Sequence, residues 1–126
     1  MLDETAREVL ETAEVVTIAT QGPDGPHLVA TWGDYVRTLG TQERGKMVIP
    51  VGGMRRTEEN LRADNRVVLL AGSRKARGGR GTGQGCRITG EGSIVTSGED
   101  FDRVRANFTW ARGALVVRVT GCEKQL

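Results

Sequence analysis

The chain holds four stretches able to bind a ligand. In His27-Leu28-Val29-Ala30-Thr31-Trp32 an apolar run ends on a hydroxyl beside a large aromatic surface. Thr31 can donate to a phosphate or ring oxygen, and Trp32 offers a flat face to a planar ligand; both are also ordinary strand residues. His27 has no cluster of ligating neighbours, so no metal site is assigned to it. In Pro50-Val51-Gly52-Gly53-Met54-Arg55-Arg56-Thr57 a strand opens through two glycines into a helix. Backbone amides at a helix N-terminus aim partial positive charge outward, and Arg56 and Thr57 add donors, which makes either a phosphate cradle or a plain capped turn. The G-x-x-x-x-G-K-[ST] order of a P-loop is missing.

The third stretch is Ser73-Arg74-Lys75 with Arg77, Arg80 and the glycines Gly78, Gly79, Gly81, Gly83 and Gly85. Read as a Gly-rich loop from Gly78 to Gly85, it offers amides and cations to a phosphate or a nucleic-acid backbone; a solvated basic loop is the plainer reading. No parallel strand leads through it into a helix, so it is not a dinucleotide fingerprint. The fourth is Phe108-Thr109-Trp110-Ala111-Arg112, with Trp110 as a ligand face or as a core or interface anchor. No Ser/His/Asp set, paired carboxylates or H-E-x-x-H supplies a nucleophile or a metal, so no catalytic residue is assigned. Cys86 and Cys122 are far apart and in no C-x-x-C, which leaves two reduced structural thiols. Two tryptophans and several anion-binding stretches together suit a planar, phosphorylated cofactor.

The elements that must position these residues follow from pattern. Asp3 caps a first helix whose Ala6, Val9, Leu10 and Ala13 make one narrow apolar stripe for a sheet. Val15 to Thr20 and His27 to Trp32, joined by Gly22-Pro23-Asp24-Gly25-Pro26, form a hairpin. Lys46 to Val51 is a third strand. Thr57 caps a second helix, with Glu58 and Glu59 in its first turn, and Arg66 to Gly72 returns as an apolar strand. Cys86 to Thr96 is a long strand whose Gly90 and Gly92 mark bulges or sharp coiling. Ser97 with Asp100 starts a third helix with Phe101, Val104 and Phe108 on its apolar face, and Gly113 to Gly121 closes the chain as a strand. Six strands in hairpins with three short helices, and no strand-helix-strand alternation, pack as a mainly β antiparallel barrel.

The bulk properties narrow the class. With 126 residues the chain makes one domain over 1–126, and 37% hydrophobic content is lean for a domain burying everything alone, a shortage that a dimer interface relieves. A net charge of +2 gives no global field for nucleic acid or a membrane surface. Locally, Arg74 to Arg87 carries five basic residues and no acidic one, whereas Asp3 to Glu14 carries five carboxylates against Arg7. The ligand expected is therefore anionic and local. No apolar run is long enough to span a bilayer, and Met1-Leu2-Asp3-Glu4 lacks the features of a signal peptide, so a cytoplasmic location is expected.

VVTIATQGPDGPHLVATW, VIPVGGMRRTEENL, SRK with its Gly-rich tail, and FTWARGALVVRV resemble the small bacterial FMN-binding proteins of the FMN-binding split-barrel superfamily, pyridoxamine 5'-phosphate oxidase-like in fold. The resemblance runs from about Val9 to Leu126. It implies a six-stranded Greek-key split barrel, a homodimer and FMN at the subunit interface. Matched by position, it implies Thr31, Arg56 and Thr57 on the phosphate side, backbone groups of Val51, Gly52 and Gly53 along the isoalloxazine edge, Trp32, Tyr35 and Trp110 flanking the ring or ribityl chain, and Ser73 and Arg74 as further contacts. The chain departs from these relatives at Ala30, where they carry a polar amide, and at Arg56, where a lysine's point charge becomes a planar fork. The function implied is a flavin redox carrier exchanging electrons with a partner protein of unknown identity. The alternatives are an FMN-dependent oxidoreductase, either an NAD(P)H flavin reductase or a pyridoxamine phosphate oxidase-like enzyme, and, from the basic stretch alone, a nucleic-acid-binding module.

Overall fold

The structure, a computed structural model, describes residues 2–39, 45–78 and 81–125. Alternation builds its first hairpin. In β1 (Val15–Gly22) Val16, Ile18 and Thr20 point inward and are buried, and β2 (Gly25–Trp32) pairs along it from Val15↔Trp32 to Gly22↔Gly25. Pro23 and Asp24 form the turn, closed by Gly25 at φ 121°, a conformation that side chains with a Cβ resist. The remaining strands are β3 (Lys46–Val51), β4 (Arg66–Gly78), β5 (Gly81–Val95) and β6 (Gly113–Lys124). All pairings are antiparallel in the order β2-β1-β4-β5-β6-β3, so the chain crosses from one edge strand to the other between β2 and β3. This is the mainly β, six-stranded Greek-key split barrel expected.

One core fills the curl of the sheet. Val16, Ile18, Met47, Ile49, Leu69, Ile88, Leu115 and Val117 project into it, and α1 (Glu4–Thr12) covers it with Ala6, Val9 and Leu10. Asp3 caps α1 as its side chain accepts from the Ala6 amide at 2.8 Å. A smaller cluster of Leu39, Val48, Val104, Ala111 and Ala114 lies on the other side of β3 and β6. Gly90 is a bulge point: the β5–β6 register shifts between Thr89 and Gly90, and a Cβ there would stand 2.5 Å from the Arg118 carbonyl oxygen. No helix among the described residues is long and apolar enough to cross a membrane.

Several local expectations are corrected. Among the described residues there are four helices, not three: α2 (Gly33–Leu39), α3 (Arg55–Ala63) and α4 (Glu99–Asn107) join α1. The additional α2 is seven residues long and buries only Gly33, Val36 and Leu39, too little apolar periodicity to stand out in sequence. Tertiary contacts hold it: Gly33 donates to the Glu14 carbonyl at 2.8 Å, and Arg37 donates to the last carbonyls of α1, those of Leu10 and Ala13. Gly33 lies so close that a Cβ would come within 1.8 Å of the Ala13 oxygen. Thr57 does not cap α3: Met54 occupies the N-cap position without a side-chain cap, and Thr57 sits inside the first turn. Gly98 rather than Ser97 precedes α4.

Within the stretch read as a loop, Gly78 ends β4 and Gly81 to Gly85 are strand. β4 and β5 pair through Gly72↔Gly85, Ser73↔Gln84 and Gly78↔Gly81, because an antiparallel ladder needs only backbone groups and Gly residues supply them. Gly79 and Arg80, which that reading included, lie outside the described residues. α1 braces the hairpin: the Thr12 and Ser73 hydroxyls are 2.6 Å apart, and Glu8 accepts from the Arg77 amide at 2.9 Å.

Cys86 is buried on β5, and burial first, then repulsion from Cys122 and Asp3, pushes its thiol up to about 11 from an ordinary 9.0. A thiol raised in the folded state adds stability that is complete below pH 9 and lost as pH climbs toward 11, by about 3 kcal/mol at most. Denaturation midpoints of the wild type and Cys86→Ala should therefore converge across that interval. A constant difference between the two would contradict this.

Candidate functional site

The Gly52-Gly53 bend links β3 to α3. β3 stays in register with β6 up to Val51↔Gly113, after which both glycines are exposed. Trp110 lies against the first of them, since a Cβ on Gly52 would approach its Cζ3 to 3.2 Å. Met54 then takes φ 55° and ψ 35°, the one non-glycine residue with positive φ among those described, turning the chain sharply into the helix. Such a conformation costs about 1–2 kcal/mol outside glycine and is typical of functional turns.

The first turn of α3 presents donors of the kind that could hold an anion. Met54 offers no side-chain cap, and the amides of Arg55, Arg56 and Thr57 find no backbone acceptor among the described residues. Thr57 is fully buried, and its hydroxyl has no hydrogen-bond partner. A buried, unpaired hydroxyl costs about 1–3 kcal/mol, so it stands out as a group awaiting an acceptor. Arg55 and Arg56 sit exposed at the positive end of the helix dipole, where cations are disfavoured unless an anion joins them. The carboxylate of that turn, Glu58, is engaged by Arg112 at 3.1 Å and Arg62 at 3.3 Å. At the far end of α3, hydrogen bonds from Arg66 hold the Asp64 carboxyl below the usual carboxylate range, at about 2.

An aromatic wall stands beside the bend. Tyr35 from α2, Phe108 from the end of α4 and Trp110 form a tilted cluster with centroid separations of 5.0, 5.5 and 5.7 Å. Trp110 is 51% exposed, so a broad indole surface remains for a planar group. Phe108 was not singled out as a site residue, and Tyr35 reaches the wall only because of α2. Arg112 was also passed over: its guanidinium donates to the carbonyls of Gly52 at 2.9 Å and Gly53 at 2.5 Å. Nothing in the sequence marks that side chain as bending back along the chain.

The other expected residues divide. Val51 is buried in the core, and its carbonyl accepts from the Arg112 amide at 2.8 Å. Thr31 is buried on β2 and Trp32 exposed beside it. α3 lies by this edge: Asn60 donates to the Thr20 hydroxyl at 3.0 Å, and Met54 and Val29 both pack on the main core. Arg56 borders a depression between α3 and the β1–β2 turn, lined also by Gln21, Asp24 and Asn60. Ser73 and Arg74 sit in the β4–β5 hairpin, with the Ser73 hydroxyl turned to Thr12 and the Lys75 amide. Gln84, opposite Ser73, and Val95, opposite the start of β6, are at different ends of β5. Within one chain Ser73 and Arg74 are thus remote from the Gly52 bend.

The fold is that of a small antiparallel split barrel, with an uncapped helix N-terminus beside an aromatic wall. Residues 2–120 match the family model described as pyridoxamine 5'-phosphate oxidase, and the chain belongs to that family. It is 47% identical over all 126 residues to an FMN-binding protein of Nitratidesulfovibrio vulgaris, covering both chains completely. Among solved structures it is similar to HupZ from Group A Streptococcus, with a TM-score of 0.80 and 13% identity over 99% of this chain and 100% of that one. An FMN-binding protein from Syntrophomonas wolfei gives a TM-score of 0.70 at 18% identity over 98% and 85%. At such identities the two structures establish the fold.

Removing the unpartnered hydroxyl without changing shape tests the local geometry. Thr57→Val in the ligand-free protein should raise stability by about 1 kcal/mol in urea denaturation. A loss of stability would mean that the hydroxyl already has a partner.

Proposed function

We propose that this chain binds one FMN per protomer, works as a homodimer, and carries electrons to or from a partner protein. The observation that carries the reading is the buried Thr57 hydroxyl without a partner, on an uncapped helix turn beside the Trp110 wall. A dianionic phosphate supplies the missing acceptor, and the 47% identical relative is an FMN-binding protein. In this reading the α3 amides, Thr57 and Arg56 hold the phosphate from the helix side and Thr31 from β2. The Gly52-Gly53 backbone meets the ring edge, and Trp110 with Tyr35 shields the ring from water. FMN, when bound, supplies the redox chemistry, and the chain sets its affinity and potential.

The homodimer has its own support. Val15, Leu28, Trp32 and Leu70 are large apolar residues left exposed, and register puts all four on one outer face of β1, β2 and β4. A contiguous apolar face on so small a protein suits association with a second copy. Dimerisation would also give Trp32, Ser73 and Arg74, remote or outward-facing in one chain, a route to the ligand of a partner. A cytoplasmic location accords with two cysteines left free.

The enzyme reading, an FMN-dependent oxidoreductase acting on NAD(P)H or a pyridoxamine phosphate-like amine, is favoured by the family match over residues 2–120. It has less support from the cleft. The single histidine, His27, lies opposite Thr20 near the β1–β2 turn rather than by the bend.

Purified protein should be yellow, sediment as a dimer of the 13.6 kDa protomer, and release flavin on denaturation. Thr57→Val should weaken FMN binding about 10- to 100-fold, the weight of one charge-assisted hydrogen bond, and leave riboflavin, which has no phosphate, unchanged. Protein that releases no flavin and leaves added FMN fluorescence unquenched would refute the reading. Rapid anaerobic bleaching by NADH or NADPH alone would move the assignment to the reductase.

A further inference from the structure

Resting on the FMN reading, we infer that Arg112, held by Glu58, is a positioning residue that aims the amides of the Gly52-Gly53 bend at the flavin ring. Its backbone is fixed first, the amide donating to the Val51 carbonyl at 2.8 Å as the last rung beside the β3–β6 ladder. Its side chain then turns along the bend. Nε reaches the Gly52 and Gly53 carbonyls at 2.9 and 3.1 Å, Nη2 the Gly53 carbonyl at 2.5 Å, and Nη1 the Glu58 carboxylate at 3.1 Å. Arg112 and Glu58 are mostly buried, with side-chain exposures of 21% and 13%, so this is not a loose surface pair.

The consequence follows from peptide geometry. In a trans peptide the N–H points opposite to its own C=O. With the carbonyls of Gly52 and Gly53 both turned to the guanidinium, the amides of Gly53 and Met54 must point away from it. Neither amide meets a backbone acceptor among the described residues, and the space at Gly53 is open, with nothing within 4 Å of a would-be Cβ. Two consecutive free donors on a glycine bend would otherwise rotate freely, because glycine sets little barrier. Arg112 removes that freedom before the ligand arrives, its planar fork spanning two carbonyls and a carboxylate in one fixed geometry that a lysine's point charge does not impose.

Donors fixed toward ring acceptors favour the electron-rich reduced flavin over the oxidised form, so the clasp acts on potential as well as affinity. The test is flavin titration and anaerobic redox titration of the wild type, Arg112→Gln, Arg112→Lys and Glu58→Gln, with both FMN and riboflavin. The expected result is an equal loss of about tenfold for the two flavins in Arg112→Gln, with a more negative midpoint potential. Arg112→Lys and Glu58→Gln should fall between it and the wild type, and they keep the test open if Arg112→Gln does not fold. A loss confined to FMN would place Arg112 on the phosphate side and overturn the inference, as would wild-type affinity and potential in all folded variants. If the wild type bound neither flavin, the FMN reading itself would fail, and this inference with it.

Discussion

An open positive helix end beside a buried hydroxyl is the constraint around which the rest of the molecule is arranged. Left alone, the first turn of α3 is a poor design: uncapped, carrying two arginines at the wrong end of the dipole, and hiding a hydroxyl from water. Each of these defects becomes favourable once an anion occupies the turn. The strained Met54 backbone delivers the chain to that turn, and the Asn60–Thr20 hydrogen bond fixes the helix on the barrel. Under the proposed function, stability given up locally leaves a site that needs little rearrangement on binding.

The barrel supplies the rigidity that such a site requires. β3 and β6 are paired through Val51↔Gly113, so the bend and the Trp110-to-Arg112 segment leave the same rigid ladder side by side. The lower core of Leu39, Val48, Val104, Ala111 and Ala114 ties α2 and α4 beneath them, bringing Tyr35 and Phe108 to the indole. Aromatic wall and anion turn thus belong to different parts of the sequence but to one mechanical unit.

Much of this was legible in the residues. Alternating β-branched runs and the Pro23-Asp24 turn gave the first hairpin, and the apolar stripe of α1 was plain because nine residues repeat it clearly. The bend, Thr57 and Trp110 were found because glycine pairs, helix starts and tryptophans have few uses. What escaped depended on distant contacts. α2 exists through Gly33 packing on Ala13 and Arg37 reaching the end of α1, and the clasp of Arg112 spans about sixty residues of chain, as its partners Gly52 and Glu58 attest. Glycines at 81, 83 and 85 read as a loop by flexibility alone, whereas backbone pairing with β4 makes Gly81 to Gly85 strand.

The most direct test is to titrate FMN into isotope-labelled, flavin-free protein and follow the backbone amide resonances. The account requires the largest shifts, saturating together, at Gly53 through Thr57, with the Trp110 indole N–H moving in step. Shifts confined to the β4–β5 hairpin around Ser73 and Arg74, with the start of α3 unmoved, would contradict it.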